Sequence, residues 1–364
     1  MLAVSVVVAA TVSLLALPIP IQALPLFRRA KSSATYLSNA VAAANVLNTK
    51  NDWYDQSTGQ WQGDWWISGN IVTTLGDLAE ADTGYASTAE GILSSVFTNA
   101  YAANGDSWLD NYYDDEGWWA LAWIKAWDIT HNSKYLSAAE SIFSDLTTGL
   151  GGACGGQWWD KSHTAVNSIN NELFIAVAAS LANRVSSKKS YYQKYAVDQY
   201  DWLFGAGLQN SDSLFMDGLD MSTCAPIGAV WTYNQGVLLG ALVELNQVTG
   251  NGTYLTMADT IAQSVINHMT TNGILTESAE YPYEDPTAAQ FKGVLVRNLG
   301  YLNTAQSNGN YVSFLQNNAD SIWSNDLTSA QDIGVDWQGP AVNISAAAQD
   351  SGLACLVAAA VASS

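Results

Sequence analysis

Lys134–Tyr135–Leu136–Ser137–Ala138–Ala139 and Thr253–Tyr254–Leu255–Thr256–Met257–Ala258 are near copies of one another, and each opens a helical stretch. Tyr and Ala at this spacing fall on one face, as in a helix that buries a stripe against a neighbour. Around them the chain reads as helix after helix. The stretches are Ser33 to Leu47, Ile67 to Ala79, Thr88 to Ala102, Trp118 to Trp127, Tyr135 to Leu146, Glu172 to Asn183 and Tyr191 to Phe204. They continue with Tyr233 to Val248, Tyr254 to Met269, Gln290 to Leu302, Tyr311 to Trp323 and Ile344 to Val361. No stretch alternates as a strand between hairpin turns. The expected class is all-α.

The helices alternate in kind. Between those of the Tyr–Leu–Ala type lie others that open on richer motifs, near Asp64–Trp65–Trp66, Asp114–Asp115, Asn167–Asn171, Tyr233–Asn234–Gln235–Gly236, Phe291–Lys292–Gly293 and Ala347–Gln349. Six starts about 50 to 67 residues apart predict six helical hairpins. Their natural closure is an inner ring of six helices inside an outer ring, an (α/α)6 barrel, with the rich loops on one rim. The competing arrangement is an open solenoid or irregular bundle.

Met1 to about Ala23 is apolar and carries no acid, which suits a secretory signal better than a membrane span, although a charged leading region is missing. Leu24–Pro25–Leu26–Phe27–Arg28–Arg29 ends on a dibasic pair that resembles a processing site, so residues 24–29 read as a short pro-segment. A single catalytic domain is expected over 30–364. The apolar tail from Leu353 to Ser364 lacks the polar spacer of a lipid-anchor signal and is needed as the sixth inner helix.

Of the 364 residues 13 are basic and 33 acidic, a formal charge of −20, which repels nucleic acid, anionic membranes and polyanionic substrates. A neutral ligand fits. Only 13% of residues are charged, while Trp (15) and Tyr (17) are abundant, a composition suited to sugar binding as well as to large helical cores. A secreted, extracellular monomer is expected, with no membrane insertion.

Cys154, Cys224 and Cys355 are too few and too widely spaced for a zinc site, and three histidines do not complete one, so neither metal nor cofactor is expected. Cys154 lies in a Gly-rich loop and Cys224 in a loop before Pro226, which makes them the expected disulfide. Cys355 sits in an apolar helical run as inert packing. Asn251–Gly252–Thr253 and Asn343–Ile344–Ser345 are glycosylation sequons that acquire meaning if the chain is exported.

Candidate chemistry centres on Tyr112–Tyr113–Asp114–Asp115–Glu116–Gly117–Trp118–Trp119. Three acids between aromatics repel one another and are drawn out of water. The bland reading is a helix start, where acids complement the dipole. The functional reading is glycoside hydrolysis, which needs two carboxyl groups facing one sugar ring and aromatic faces to stack on it. Adjacent residues on a regular helix diverge by about 100°, so Asp114 and Asp115 can share a substrate only at a helix entrance. Gly117 is expected to make that entrance irregular.

The ordered series Tyr113–Asp114–Asp115–Glu116–Gly117–Trp118–Trp119, Gly155–Gly156–Gln157–Trp158–Trp159, Asn170–Asn171, Asp217–Gly218, Tyr233–Asn234–Gln235–Gly236 and Phe291–Lys292–Gly293 resembles glycoside hydrolase family 76, the endo-α-1,6-mannanases. The resemblance covers nearly the whole chain after the leader, in family order. It implies an (α/α)6 barrel and a retaining mechanism on α-1,6-linked mannan or mannooligosaccharides of fungal walls. Asp114 would be the nucleophile and Asp115 the general acid/base, with carboxyls about 5–5.5 Å apart.

Other positions have two readings. Trp65, Trp66, Tyr113, Trp118 and Trp119 can stack on mannose or fill core, and of each tryptophan pair one is expected in the core. Asp64, Asn171 and Asn234 serve equally as helix caps or as partners of mannose hydroxyls. Lys292 either lines the cleft or balances acids. Glu116 reads as a first-turn charge and Asp217–Gly218 as a turn. Two further functions stay open: a transglycosidase that joins mannosyl chains of wall glycans, and a barrel that binds mannan without cutting it.

Overall fold

The computed structural model describes residues 31–50 and 52–364. The expected signal (1–23) and pro-segment (24–29) lie outside the described residues. Among those described are twelve α-helices: α1 (Ser33–Thr49), α2 (Trp65–Ala81), α3 (Ala86–Ala103), α4 (Tyr113–Thr130), α5 (Ser133–Leu146), α6 (Ser168–Arg184), α7 (Lys189–Gly205), α8 (Thr232–Thr249), α9 (Thr253–His268), α10 (Phe291–Ala305), α11 (Gly309–Asn325) and α12 (Ala346–Ala362). The even-numbered helices form the inner ring. α2 packs on α4, α4 on α6, α6 on α8, α8 on α10, α10 on α12, and α12 back on α2. The ring closes, so the fold is an (α/α)6 barrel and not an open solenoid.

Burial follows from this layering. Along α6 every residue from Ser168 to Ala182 is buried, and along α12 every residue from Ala346 to Ala360, as expected of helices covered on all sides. Outer helices bury one stripe. In α5 it is Tyr135, Ala138, Ala139, Ile142, Phe143 and Leu146, and in α9 it is Tyr254, Ala258, Ile261, Ala262 and Val265. The Tyr–Leu–Ala motif is thus the first turn of an outer helix facing inward.

A buried tyrosine recurs at the start of all six outer helices: Tyr36, Tyr85, Tyr135, Tyr192, Tyr254 and Tyr311. Their hydroxyls reach toward the preceding outer helix. Tyr192 donates to Glu140 of α5 at 2.7 Å, Tyr311 donates to Asp259 of α9, and Tyr85 accepts from Asn48 of α1 at 3.2 Å. Tyr135 is bonded to Ser94 of α3, and Tyr254 faces Asp201 of α7. Tyr36 of α1 donates to Asp320 of α11 at 3.1 Å, which closes the outer ring.

Inner helices approach closely at glycines. A Cβ on Gly117 would lie 2.9 Å from the Leu173 Cβ of α6, and one on Gly236 would lie 2.6 Å from the Leu295 Cα of α10. Gly117 therefore sits in regular helix as a contact residue and does not loosen the entrance. Strands, expected to be absent, occur among the described residues only as two-residue pairings. Val166–Asn167, Gly218–Leu219 and Pro226–Ile227 form an antiparallel trio on the rim before α6 and α8. Cys154 and Cys224 form the expected disulfide, Cα–Cα 5.6 Å, while Cys355 is a buried thiol.

Candidate active site

Inner helices all point their N-termini to one rim, where the rich loops gather. There the barrel axis opens into a cavity of about 350 Å³ walled by Trp66, Tyr112, Trp118, Trp159, Trp231, Tyr233 and Phe291. Asp114, Asp115, Asp217, Glu280 and Asp285 also line it, with Asn167, Thr287 and Ala288, and no basic side chain does. The wall is a continuous aromatic surface. Phe291 stacks on Tyr233 at 3.8 Å and meets Trp231 at 5.6 Å, while Trp66 contacts Phe291 at 6.2 Å and Trp118 at 5.8 Å. Such faces suit the apolar side of a pyranose ring.

The acids come from the first turn of α4. Tyr112 caps it in extended conformation with no side-chain cap, so Asp114, Asp115 and Glu116 sit among free helix N–H groups that favour negative charge. Burial opposes this and wins. Asp114 is pushed up to about 7, chiefly by burial and against the hydrogen bond from Trp159. Asp115 is raised well above the carboxylate range by burial first, then by the charges of Asp114 and Asp110. Glu116, despite Lys161, is pushed up to about 8 by burial.

Asp114 is held by one side chain besides backbone N–H groups of its own turn. Trp159 Nε1 donates to its Oδ2 at 2.9 Å, and Oδ1 has no hydrogen-bond partner among the described residues. Trp159 is fixed in turn by backbone bonds, its carbonyl accepting from Tyr113 N at 2.9 Å and its N–H donating to Ala165 O at 2.8 Å. Glu116 faces away from the cavity into an ion pair with Lys161 at 2.6 Å, and Lys161 also meets Asp145 at 2.9 Å. Two adjacent acids, one charged more easily than the other, thus share the floor of an aromatic cup.

Other candidates divide between wall and support. Trp66 and Trp118 line the cavity, whereas Trp65 and Trp119 pack on Trp108 in the core. Tyr113 is buried, its hydroxyl 3.2 Å from Thr148, and its neighbour Tyr112 takes the place on the wall. Asp64 is the N-cap residue of α2, where its side chain makes no capping bond; it does not line the cavity, though its charge acts on Asp115. Asn171 is fully buried and accepts from Gln157 N at 2.7 Å, bracing the loop that carries Trp159. Asn234 is fully buried off the wall, which Tyr233 occupies instead. Lys292 does not line the cleft: it is buried, ion-paired with Glu284, and donates to Val335 O at 2.8 Å.

Some wall residues were quoted without a site role, Trp159 and Asp217 in the family-like series and Asn167 at the opening of an inner helix, whereas Trp231, Glu280 and Asp285 escaped the sequence reading. A larger cavity of about 570 Å³ fills the far half of the barrel, but its main charges pair with one another, Lys125 with Asp77 and Glu80, and Arg184 with Asp128 and Glu244. It offers no reactive pair.

An (α/α)6 barrel with a carboxyl pair at the base of an aromatic cavity has the parts that glycoside hydrolysis needs. More narrowly, the profile of Glycosyl hydrolase family 76 matches residues 31–362, and the chain belongs to that family. The Saccharomyces cerevisiae mannan endo-1,6-alpha-mannosidase DFG5 is 24% identical over 272 residues, 68% of this chain and 59% of that protein, so the chain spans somewhat over half of that relative. The fold is similar to an inactive variant of the alpha-1,6-mannanase GH76A of Salegentibacter sp. HEL1_6 in complex with alpha-1,6-mannotetrose (TM-score 0.78, 22% identity, 91% of this chain and 100% of that one). It is also similar to Dfg5 from Chaetomium thermophilum in complex with glucosamine (TM-score 0.78, 17% identity, 92% of each chain).

Proposed function

We propose that this protein is a retaining endo-α-1,6-mannanase in which Asp114 is the nucleophile and Asp115 the general acid/base. The observation that carries the reading is the Asp114–Asp115 pair at the mouth of α4, one oxygen of Asp114 held by the Trp159 indole, under a wall of aromatic faces. The Salegentibacter α-1,6-mannanase, which has been captured with a mannan tetrasaccharide, is inactive when two consecutive aspartates are replaced, and this supports the assignment.

Asp115, protonated, gives its proton to the glycosidic oxygen as the bond to the anomeric carbon breaks and the leaving oxygen takes the electron pair. Asp114 attacks the same carbon and forms a glycosyl ester. A water then attacks, Asp115 accepts its proton, and the ester bond returns its electrons to Asp114. A sugar hydroxyl in place of that water would give transfer, through the same intermediate. The environments sort the two roles: Asp114 has the indole donor that stabilises its charge, while Asp115 faces negative neighbours that hold its proton.

Export belongs to the same proposal. The Cys154–Cys224 disulfide suits an oxidising compartment, the sequon residues Asn251 and Asn343 are exposed, and no helix among the described residues is long and apolar enough to cross a membrane. A monomeric secreted or wall-associated enzyme with one catalytic domain from about residue 30 is the form we infer.

The test is chain-length analysis of products from unbranched α-1,6-mannooligosaccharides, with Asp114→Asn and Asp115→Asn alongside. Shorter products, with turnover reduced at least a thousandfold in both folded variants, are expected. Longer products would replace hydrolysis by transfer, and binding without any new product would leave a mannan-binding protein.

A further inference from the structure

Asp110 lies outside the cavity wall, yet it is hydrogen-bonded to the carboxyl of Asp115. Its loop is rigidly placed. Trp108 is buried, stacks on Trp65 at 6.0 Å and meets Trp119 at 5.0 Å and the edge of Trp123 at 4.7 Å, while Asn104 donates to the carbonyls of Ser107 at 3.0 Å and Leu109 at 3.2 Å. This gives the core tryptophans of the doubled pairs a task, since they anchor the segment that carries Asp110. Asp110 Oδ1 accepts from Tyr112 N at 2.7 Å, and its own N–H donates to Glu116 Oε1 at 3.2 Å.

We propose that Asp110 is a positioning residue for Asp115, accepting the Asp115 O–H so that the proton is held and aimed at the leaving oxygen until the glycosidic bond breaks. This rests on the reading of Asp115 as acid/base. A carboxylate beside a carboxylic acid accepts one hydrogen bond and repels the charge that would appear if the proton left. When Asp115 does release its proton to the departing sugar, two anions face each other, which favours recapture of a proton from the incoming water. One neighbour thereby serves both half-reactions.

The groups that bear on Asp115 are Asp114 of its own helix, Asp110 of the preceding loop and Asp64 at the start of α2, all acidic. The cation bearing on Asp110 is Lys161, which is paired with Glu116 and Asp145. Asp115 is therefore surrounded by negative charge, and only Asp110 shares a hydrogen bond with it among these three.

The test is the pH profile of kcat/KM on an α-1,6-mannotetraose for the full chain, Asp110→Asn and Asp110→Glu. With the acceptor charge gone, Asp115 loses its proton more readily, so the alkaline limb of Asp110→Asn moves to lower pH by about one unit, roughly tenfold in proton affinity. Asp110→Glu restores the limb at least in part. A uniform fall in rate with an unmoved limb overturns the proposal. Should both variants fail to fold, carboxyl ¹³C titration of the unaltered enzyme decides. One carboxyl of the Asp110–Asp115 pair protonated at neutral pH beside an ionised partner is expected, and two independent titrations in the ordinary range refute the idea. Full activity in Asp115→Asn would instead remove the acid/base reading itself, whereas an inactive Asp115→Asn with an unmoved Asp110→Asn limb removes only this inference.

Discussion

Trp159 is the side chain on which the charge of Asp114 depends, because its indole donates the one side-chain hydrogen bond that carboxylate has. In Trp159→Phe the donor is lost and the ring kept. The anion is then less favoured, so the acid limb of kcat/KM moves to higher pH, and the rate falls by about ten- to a hundredfold, as for removal of a bond to a charged acceptor worth about 1.5–3 kcal/mol. An unmoved limb would mean that Trp159 acts only as a wall. In the unaltered enzyme that limb is expected well above pH 4, since burial pushes Asp114 up to about 7. At this scale the sequence revealed the acids and the aromatic excess, because rare residues in a row are visible without a structure. It hid Glu280 and Asp285, single acids in loops whose approach to the cavity depends on how the rim folds, and gave Asp217 no place in the cavity; it left Lys292 between lining the cleft and balancing acids, because a lysine beside an inner-helix glycine can be paired below the surface as easily as exposed above it.

Helices were legible because their apolar spacing is local. The sixfold pattern was only partly legible: two outer helices share the Tyr–Leu–Ala wording, while Tyr36, Tyr85, Tyr192 and Tyr311 keep the tyrosine in altered surroundings. What unites them is that each hydroxyl reaches toward the preceding outer helix, a contact between residues far apart in sequence, such as Tyr36 and Asp320. The two-residue strands escaped for a similar reason, since they are too short to alternate. Inner-ring contact makes a separate demand. In Gly236→Ala the new methyl group would sit 2.6 Å from Leu295 Cα and 2.8 Å from Leu295 N, atoms of backbone that cannot swing aside. The overpacking exceeds the helix-propensity gain of about 1 kcal/mol, so a net stability loss of about 2 kcal/mol is expected, read from a lower urea unfolding midpoint. A neutral or stabilising result would show that α8 and α10 can separate at no cost.

Taken whole, the molecule carries a formal charge of −20 and buries several acids whose proton affinity burial raises. Burial pushes Glu277 and Asp326 up to about 8 and Asp350 up to about 7, beside Asp114 at about 7 and Glu116 at about 8. Between about pH 4 and pH 8 the folded chain therefore binds more protons than the unfolded chain, and stability falls as pH rises through that window. Self-repulsion of the net charge acts in the same direction. The melting temperature is expected to be higher at pH 5 than at pH 8, as read by calorimetry, and a higher value at pH 8 would mean that the buried acids are ionised in the folded state. Acid-favoured stability suits the proposed role of the Asp114–Asp115 pair, in which one carboxyl keeps its proton.

The claim that the Asp114–Asp115 pair works through a covalent glycosyl-enzyme is tested most directly by proton NMR of the anomer first released during cleavage of an α-1,6-mannotetraose. Initial release of the α-anomer, followed by slow equilibration toward β, is the expected result, because two displacements at one carbon restore its configuration. Release of the β-anomer first would mean a single displacement by water and would contradict the role given to Asp114.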